Sequence, residues 1–296
     1  MSAAPVNAWP AKAPGANARA ANAPGVDAPG VGAPGVGAPV MNPSAVDLPP
    51  PVIAVRGARK AFGDRAALRD VGFAVGPGEF VALLGPSGAG KTTLFRALAG
   101  LAPLDSGVAC LDGVDVRHLG RAARRDIAVV FQQYNLIGRR SALYNVLAGR
   151  LGHVPAWRGW CARFVEADVR LALECLDRVG LLGQAAQRAD TLSGGQQQRV
   201  AIARALAQQP RVIIADEPVA SLDPTIGAGI LELLASICHD AVAPITVICS
   251  LHQPALALAH ADRIIGLNDG RVMLDRATSG LSADAIAAVY GAAPER

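Results

Sequence analysis

The nonapeptide GPSGAGKTT, residues 85–93, has the residue types of a phosphate cradle. It reads G-x-x-x-x-G-K-T, follows the apolar run EFVALLG and opens onto the helical period of LFRALAGL. Gly85, Gly88 and Gly90 allow backbone amides to turn inward around an anion, with Pro86, Ser87 and Ala89 between them, and the helix N-terminus adds partial positive charge. Lys91 is placed to reach the β and γ phosphates of a nucleotide. The Thr92 hydroxyl is placed to hold Mg²⁺, and Thr93 completes the helix start.

Two further stretches carry chemistry. RVIIADEP, 211–218, delivers Asp216 and Glu217 to the end of an apolar strand, where ligands bind in open α/β sheets. Asp216 suits support of Mg²⁺ through water, and Glu217 suits polarising an attacking water as a general base. A lone Asp-Glu pair could equally be a solvated strand end; beside an intact phosphate loop that reading weakens. LSGGQQQRV, 192–200, offers Ser193 as an N-cap and Gly194-Gly195 as a second turn with open amides. One nucleotide cannot be wrapped by two distant loops unless the fold joins them. If they stay apart, the second loop serves a nucleotide held by another subunit.

The elements that must position these residues are legible as hydrophobic patterns. VIAVRGARKAF and ALRDVGFAV alternate as half-buried antiparallel strands do. EFVALLG, DIAVVFQ, RVIIADE and ITVICSLH are short continuous apolar runs that suit buried parallel strands. RIIGLNDGRVMLD predicts a closing hairpin around Asn-Asp-Gly. Over about residues 134–190 strand signals give way to helical periodicity, as in VEADVRLALECLDRVGLL. The expected fold is therefore α/β: a phosphate-loop ATPase core with a mixed, largely parallel sheet, a small antiparallel β subdomain and an inserted helical subdomain. Residues 1–50 differ in kind. They are rich in Ala, Pro, Gly and Val, with the pentads APGVD and APGVG, and predict a disordered arm before a single domain over 51–296. The pentads are too few for an elastin-like assembly.

Composition limits the function classes. The chain has 296 residues, a formal charge of +4 and five cysteines without a Cys-x-x-Cys pair. The cysteine pattern fits small buried hydrophobes in a reducing cytoplasm rather than a disulfide frame or zinc site. The charge permits contact with an anionic membrane surface but is too weak to argue for nucleic acid. No stretch has the 18 or more consecutive apolar residues of a membrane span, and the N-terminus lacks the basic-then-apolar order of a secretory signal.

Taken in order, GPSGAGKT, Gln132 after DIAVVF, LSGGQQQRV, RVIIADEP, SLD at 221–223 and His252 resemble the ATP-binding-cassette (ABC) transporter ATPases over about residues 52–280. The resemblance implies two cassettes facing head to tail, with Ser193 and Gly195 contacting ATP bound to the partner. It implies that Gln132 joins the Mg²⁺ and water network, that Glu217 is the catalytic base and that His252 contacts the γ-phosphate. Ser221-Leu222-Asp223 is similar to the loop that crosses the dimer interface, and Phe62 sits where the family stacks adenine. FQQYNLIGRRSALYNVLAGRLG, ADEPVASLDP and SLHQ resemble the ATPase subunit of bacterial phosphonate importers. This implies ATP hydrolysis on the cytoplasmic face of the inner membrane, separate transmembrane permease subunits and, indirectly, a periplasmic solute-binding protein. Residues 133–165, with Trp157, Arg158 and Trp160, would shape the permease docking groove or simply pack the insert. Pro254 departs from the phosphonate branch but is tolerable in a first helical turn.

Other readings are an importer for phosphate, phosphite or an amino acid, a non-transport ABC ATPase, and a P-loop kinase. Non-transport members usually carry two cassettes or large inserted arms, which this chain lacks, and a kinase has no use for LSGGQ.

Overall fold

Phe80–Leu84 forms strand β3 with all five side chains buried, as an apolar run covered on both faces must be. The computed structural model describes residues 49–155 and 163–291. The expected arm up to residue 48, and Trp157, Arg158 and Trp160, lie outside them. Strands β7 (Val212–Ala215) and β8 (Thr246–Ser250) are also buried throughout. With β6 (Ile127–Val130), β9 (Arg263–Asn268) and β10 (Arg271–Ala277) they form a six-stranded sheet in the order β10-β9-β3-β8-β7-β6. Every neighbouring pair is parallel except β10–β9. The expected closing hairpin is thus the sheet edge, and its first strand also belongs to the parallel ladder.

The second sheet is antiparallel and runs β2-β1-β4-β5, from β1 (Ile53–Phe62), β2 (Arg65–Val75), β4 (Ser106–Leu111) and β5 (Val114–Asp115). The reading of the sequence contains no strand over 106–115. The available signal was the Asp112-Gly113 turn, which joins Leu111 to Val114 as a two-residue hairpin.

Helix α1 (Lys91–Leu98) lies between the sheets. Leu94, Phe95 and Leu98 share one buried cluster with Val55 and Val71 of the small sheet and Leu83 and Ile248 of the large one. Each such side chain contributes about 1.5–3 kcal/mol by leaving water. The helix that begins at the phosphate loop is therefore also the packing link between the two sheets.

Between β6 and β7 the described residues form helices and turns: α2 (Ala142–Leu147), α3 (Glu166–Arg178) and α4 (Gly194–Ala207). Arg150 ties these pieces together. Its Nε donates to Asp168 at 2.8 Å, and its NH1 donates to the Ala207 carbonyl at 2.9 Å and Gln209 Oε1 at 3.0 Å. The chain continues through α5 (Pro224–Cys238), α6 (Pro254–His260) and α7 (Ala283–Ala287). Pro254 takes the first helical position, where its missing N–H costs nothing. Among the described residues no helix is long and apolar enough to cross a membrane.

Candidate nucleotide site

The phosphate loop starts where β3 runs out. Gly85 has φ 151°, and a Cβ there would stand 2.0 Å from the Leu267 carbonyl oxygen on neighbouring β9. Gly90 caps α1 with φ 107°, and a Cβ would stand 2.3 Å from the Ala67 carbonyl oxygen. Both close approaches demand glycine. Lys91, 5% exposed, folds its ammonium back on the loop and donates to the carbonyls of Gly85 at 2.6 Å and Pro86 at 3.2 Å. Burial lowers its pKa, while the carboxylates of Glu217 and Asp216 pull the other way.

Residues 87–93 line an open cleft of about 420 Å³ together with Phe62, Arg65, Ala67 and Glu217. Phe62 is 58% exposed and presents its ring to solvent. Arg65 was not singled out from the sequence, although the Gly63-Asp64 turn pairs it with Phe62 across the first hairpin. Its NH2 lies 2.9 Å from where a Gly88 Cβ would be, which sets a second cation beside the cradle.

Both carboxylates follow the end of β7, beside the end of β8. Ser250, fully buried, donates its hydroxyl to Asp216 Oδ1 at 2.9 Å and accepts the Glu217 backbone N–H at 2.8 Å. Glu217 has φ 50°, a left-handed conformation that costs about 1–3 kcal/mol for a non-glycine residue and collects at functional sites. His252 Nε2 lies 2.5 Å from Glu217 Oε1. Gln132 is exposed and does not line the cleft. The parallel register that pairs Val130 with Ala215 nonetheless sets Gln132 level with Glu217 at neighbouring strand ends. Ser250 escaped the sequence reading because nothing local distinguishes a serine at a strand end. Replacing it by alanine is expected to lower stability by about 1–3 kcal/mol, since the Glu217 N–H loses its acceptor. Thermal melting checks this, and Ser250→Thr should recover much of the loss.

The 192–200 stretch lies elsewhere and contributes no lining residue to the cleft. Ser193 caps α4 in a reciprocal box: its Oγ accepts from the Gln196 N–H at 3.3 Å, and its N–H donates to Gln196 Oε1 at 3.0 Å. A Cβ on Gly195 would stand 2.5 Å from Ile226 Cγ2, so intrachain packing already requires glycine there. Asp223 caps α5, accepting the Thr225 N–H at 2.9 Å. The structure thus gathers Phe62, residues 87–93 and Glu217 around one cleft and sets Asp216 and His252 beside Glu217. Ser193, Gly195 and Asp223 stay outside it.

Burial pushes the thiols of Cys175 and Cys238 up to about 12 and raises that of Cys249 further. Cys238, His239 and Asp262 come together at the opposite end of the sheet. There Asp262 Oδ2 is already engaged by the Phe80 N–H at 2.8 Å and His239 Nε2 at 2.9 Å, a fastening between β3, β9 and α5.

The ABC transporter family profile matches residues 68–220. The Phosphonates import ATP-binding protein PhnC of Frankia casuarinae is 49% identical over 249 residues, 82% of this chain and 98% of that protein. The Hypophosphite import ATP-binding protein HtxD of Stutzerimonas stutzeri is 47% identical over 242 residues, covering 80% and 70%. The Phosphate-import ATP-binding protein PhnC of Mycolicibacterium smegmatis is 47% identical over 254 residues, covering 84% and 95%. Among solved structures, the dimeric post-hydrolysis state of the ATP-binding cassette MJ0796 bound to ADP and Pi aligns with a TM-score of 0.66. Its identity is 34%, over 77% of this chain and all of that one.

Proposed function

The chain belongs to the ABC transporter family, and from that premise we propose that it hydrolyses ATP to energise uptake of phosphonates through separate membrane permease subunits. One observation carries the catalytic part: Glu217 lines the same cleft as the phosphate loop and is held there by Ser250 and His252. The relatives named for phosphonate import support the solute, with the hypophosphite and phosphate relatives marking phosphorus oxyanions as the wider class.

In this reading Phe62 stacks the adenine, and residues 85–93 wrap the phosphates with their amides. Lys91 shifts its ammonium from the loop carbonyls to the β and γ phosphates. Thr92, Asp216 and Gln132 offer the hard oxygen donors that Mg²⁺ prefers, and the bound ion would neutralise phosphate charge. Glu217 takes the proton of the attacking water, and His252 faces the γ-phosphate. Ser193 and Gly195 complete the site of a second copy, head to tail, with Asp223 at the crossing. The dimeric relative supports that pairing, as does the position of the 192–200 turn outside the chain's own cleft. Residues 51–296 carry the cassette, with a helical insert at about 134–190. The protein works peripherally on the cytoplasmic face of the membrane, and a solute-binding protein delivers cargo on the other side.

A strain lacking the gene is expected to lose growth on an alkylphosphonate as sole phosphorus source while still growing on phosphate. Growth undiminished on the phosphonate but lost on hypophosphite would move the solute within the oxyanion class. Undiminished growth on all three would overturn the uptake reading.

A further inference from the structure

The His252 loop of the proposed mechanism meets the C-terminal segment. After α7 the chain forms a short turn over Ala288–Tyr290 that lies along β9. Burial and two contacts fix it there. Ile286 and Val289 are each 1% exposed. Val289 presses on Gly266, where a Cβ would stand 2.5 Å from its Cγ2. Asn268 Nδ2 donates to the Val289 carbonyl at 2.8 Å.

This anchoring brings the half-buried Tyr290 hydroxyl to the ends of β3 and β8. The hydroxyl donates to the His252 carbonyl at 3.4 Å. A phenol has one proton to give and lone pairs to accept with. The hydroxyl gives that proton to the His252 carbonyl. Burial raises the phenol pKa, so the group keeps its donor proton at neutral pH.

We propose that Tyr290 is a positioning residue for ATP hydrolysis, its hydroxyl tethering the His252 loop to a turn anchored on β9, the strand whose Leu267 carbonyl lies against Gly85. It lines no part of the nucleotide cleft. It sets the distance from His252 and its partner Glu217 to the cradle, so that the C-terminal segment becomes part of the catalytic frame. The proposal rests on the ATPase reading above.

The test is steady-state ATP hydrolysis by the full chain, wild type against Tyr290→Phe, which keeps the ring packing and removes the hydroxyl. The expected result is a kcat about fivefold lower, the worth of one neutral hydrogen bond, with the KM for ATP within about twofold. The same substitution made in a His252→Ala background is expected to cost nothing more, because the loop then carries no imidazole to position. Unchanged kcat in Tyr290→Phe, or an equal loss in both backgrounds, would overturn the proposal. Should Tyr290→Phe melt much earlier than wild type, the double-mutant comparison at a lower temperature still decides. A wild type that hydrolyses no ATP would instead sink the ATPase reading, so the two failures are distinguishable.

Discussion

Replacing Glu217 by glutamine is expected to lower ATP turnover by about 10²–10⁴-fold, the range a general base supplies, while nucleotide affinity stays within a few-fold. Glutamine has the same shape and can keep a hydrogen bond to His252, which stands 2.5 Å from the carboxylate. It cannot take a proton from water. The backbone should be undisturbed, because Ser250 grips the Glu217 N–H rather than its side chain. Because the 192–200 turn lies outside the chain's own cleft, ATP that binds and is not hydrolysed should hold two copies together. Light scattering of the E217Q protein at saturating ATP is therefore expected to show a dimer that disperses with ADP. A variant that stays monomeric would rule out the shared site, and one that turns over at the wild-type rate would remove Glu217 from the base role.

Replacing Lys91 by methionine is expected to weaken ATP binding by one to two orders of magnitude, from about 1.5–3 kcal/mol lost per charge-assisted contact. Methionine preserves much of the volume of a side chain that is 5% exposed. What disappears is the only ammonium in the loop, together with its bonds to the Gly85 and Pro86 carbonyls. Adenosine, which has no phosphates, should bind both proteins alike; equal losses for ATP and adenosine would mean that the substitution had simply damaged the fold. The pH dependence has a definite sign. Burial lowers the Lys91 pKa below its usual 10.5, so between the two values the unfolded chain holds more protons than the folded one. The Lys91 contribution to stability therefore rises with pH across that window. Anionic phosphates oppose the burial effect, and ATP binding should take up protons there. Melting curves of wild type and Lys91→Met against pH check the first statement, and calorimetry in two buffers checks the second.

How much could be read before folding depends on the distance along the chain over which each feature is specified. The loop 85–93, the cap at Ser193 and the paired carboxylates at 216 and 217 are contiguous. Their backbone demands act within one turn or one strand end, and residue types alone announce them. The strands were legible as apolar runs for the same reason. β4 and β5 were missed because short, glycine-punctuated strands carry little periodicity, and the pairing of β4 with β1 is made across the chain. Ser250 and Tyr290 carried no local mark at all. Ser250 matters because β7 and β8 are neighbours, and Tyr290 because its turn crosses the end of β9.

By itself, then, the sequence determined which residue types this protein has to work with: a glycine-rich loop with its lysine, paired carboxylates, hydroxyl and amide oxygens and a second glycine-pair turn. Tertiary structure alone decided which of these meet. It brought Glu217 to the cradle, set Ser250 beneath the carboxylates and left the second turn away from the cleft, Gly194 against Tyr134 and Leu222 and Gly195 against Ile226. The physical reason is that covalent geometry specifies neighbours along the chain. Neighbours in space follow from the order of strands in a sheet, and hydrophobic periodicity encodes which face is buried but not which strand lies beside it.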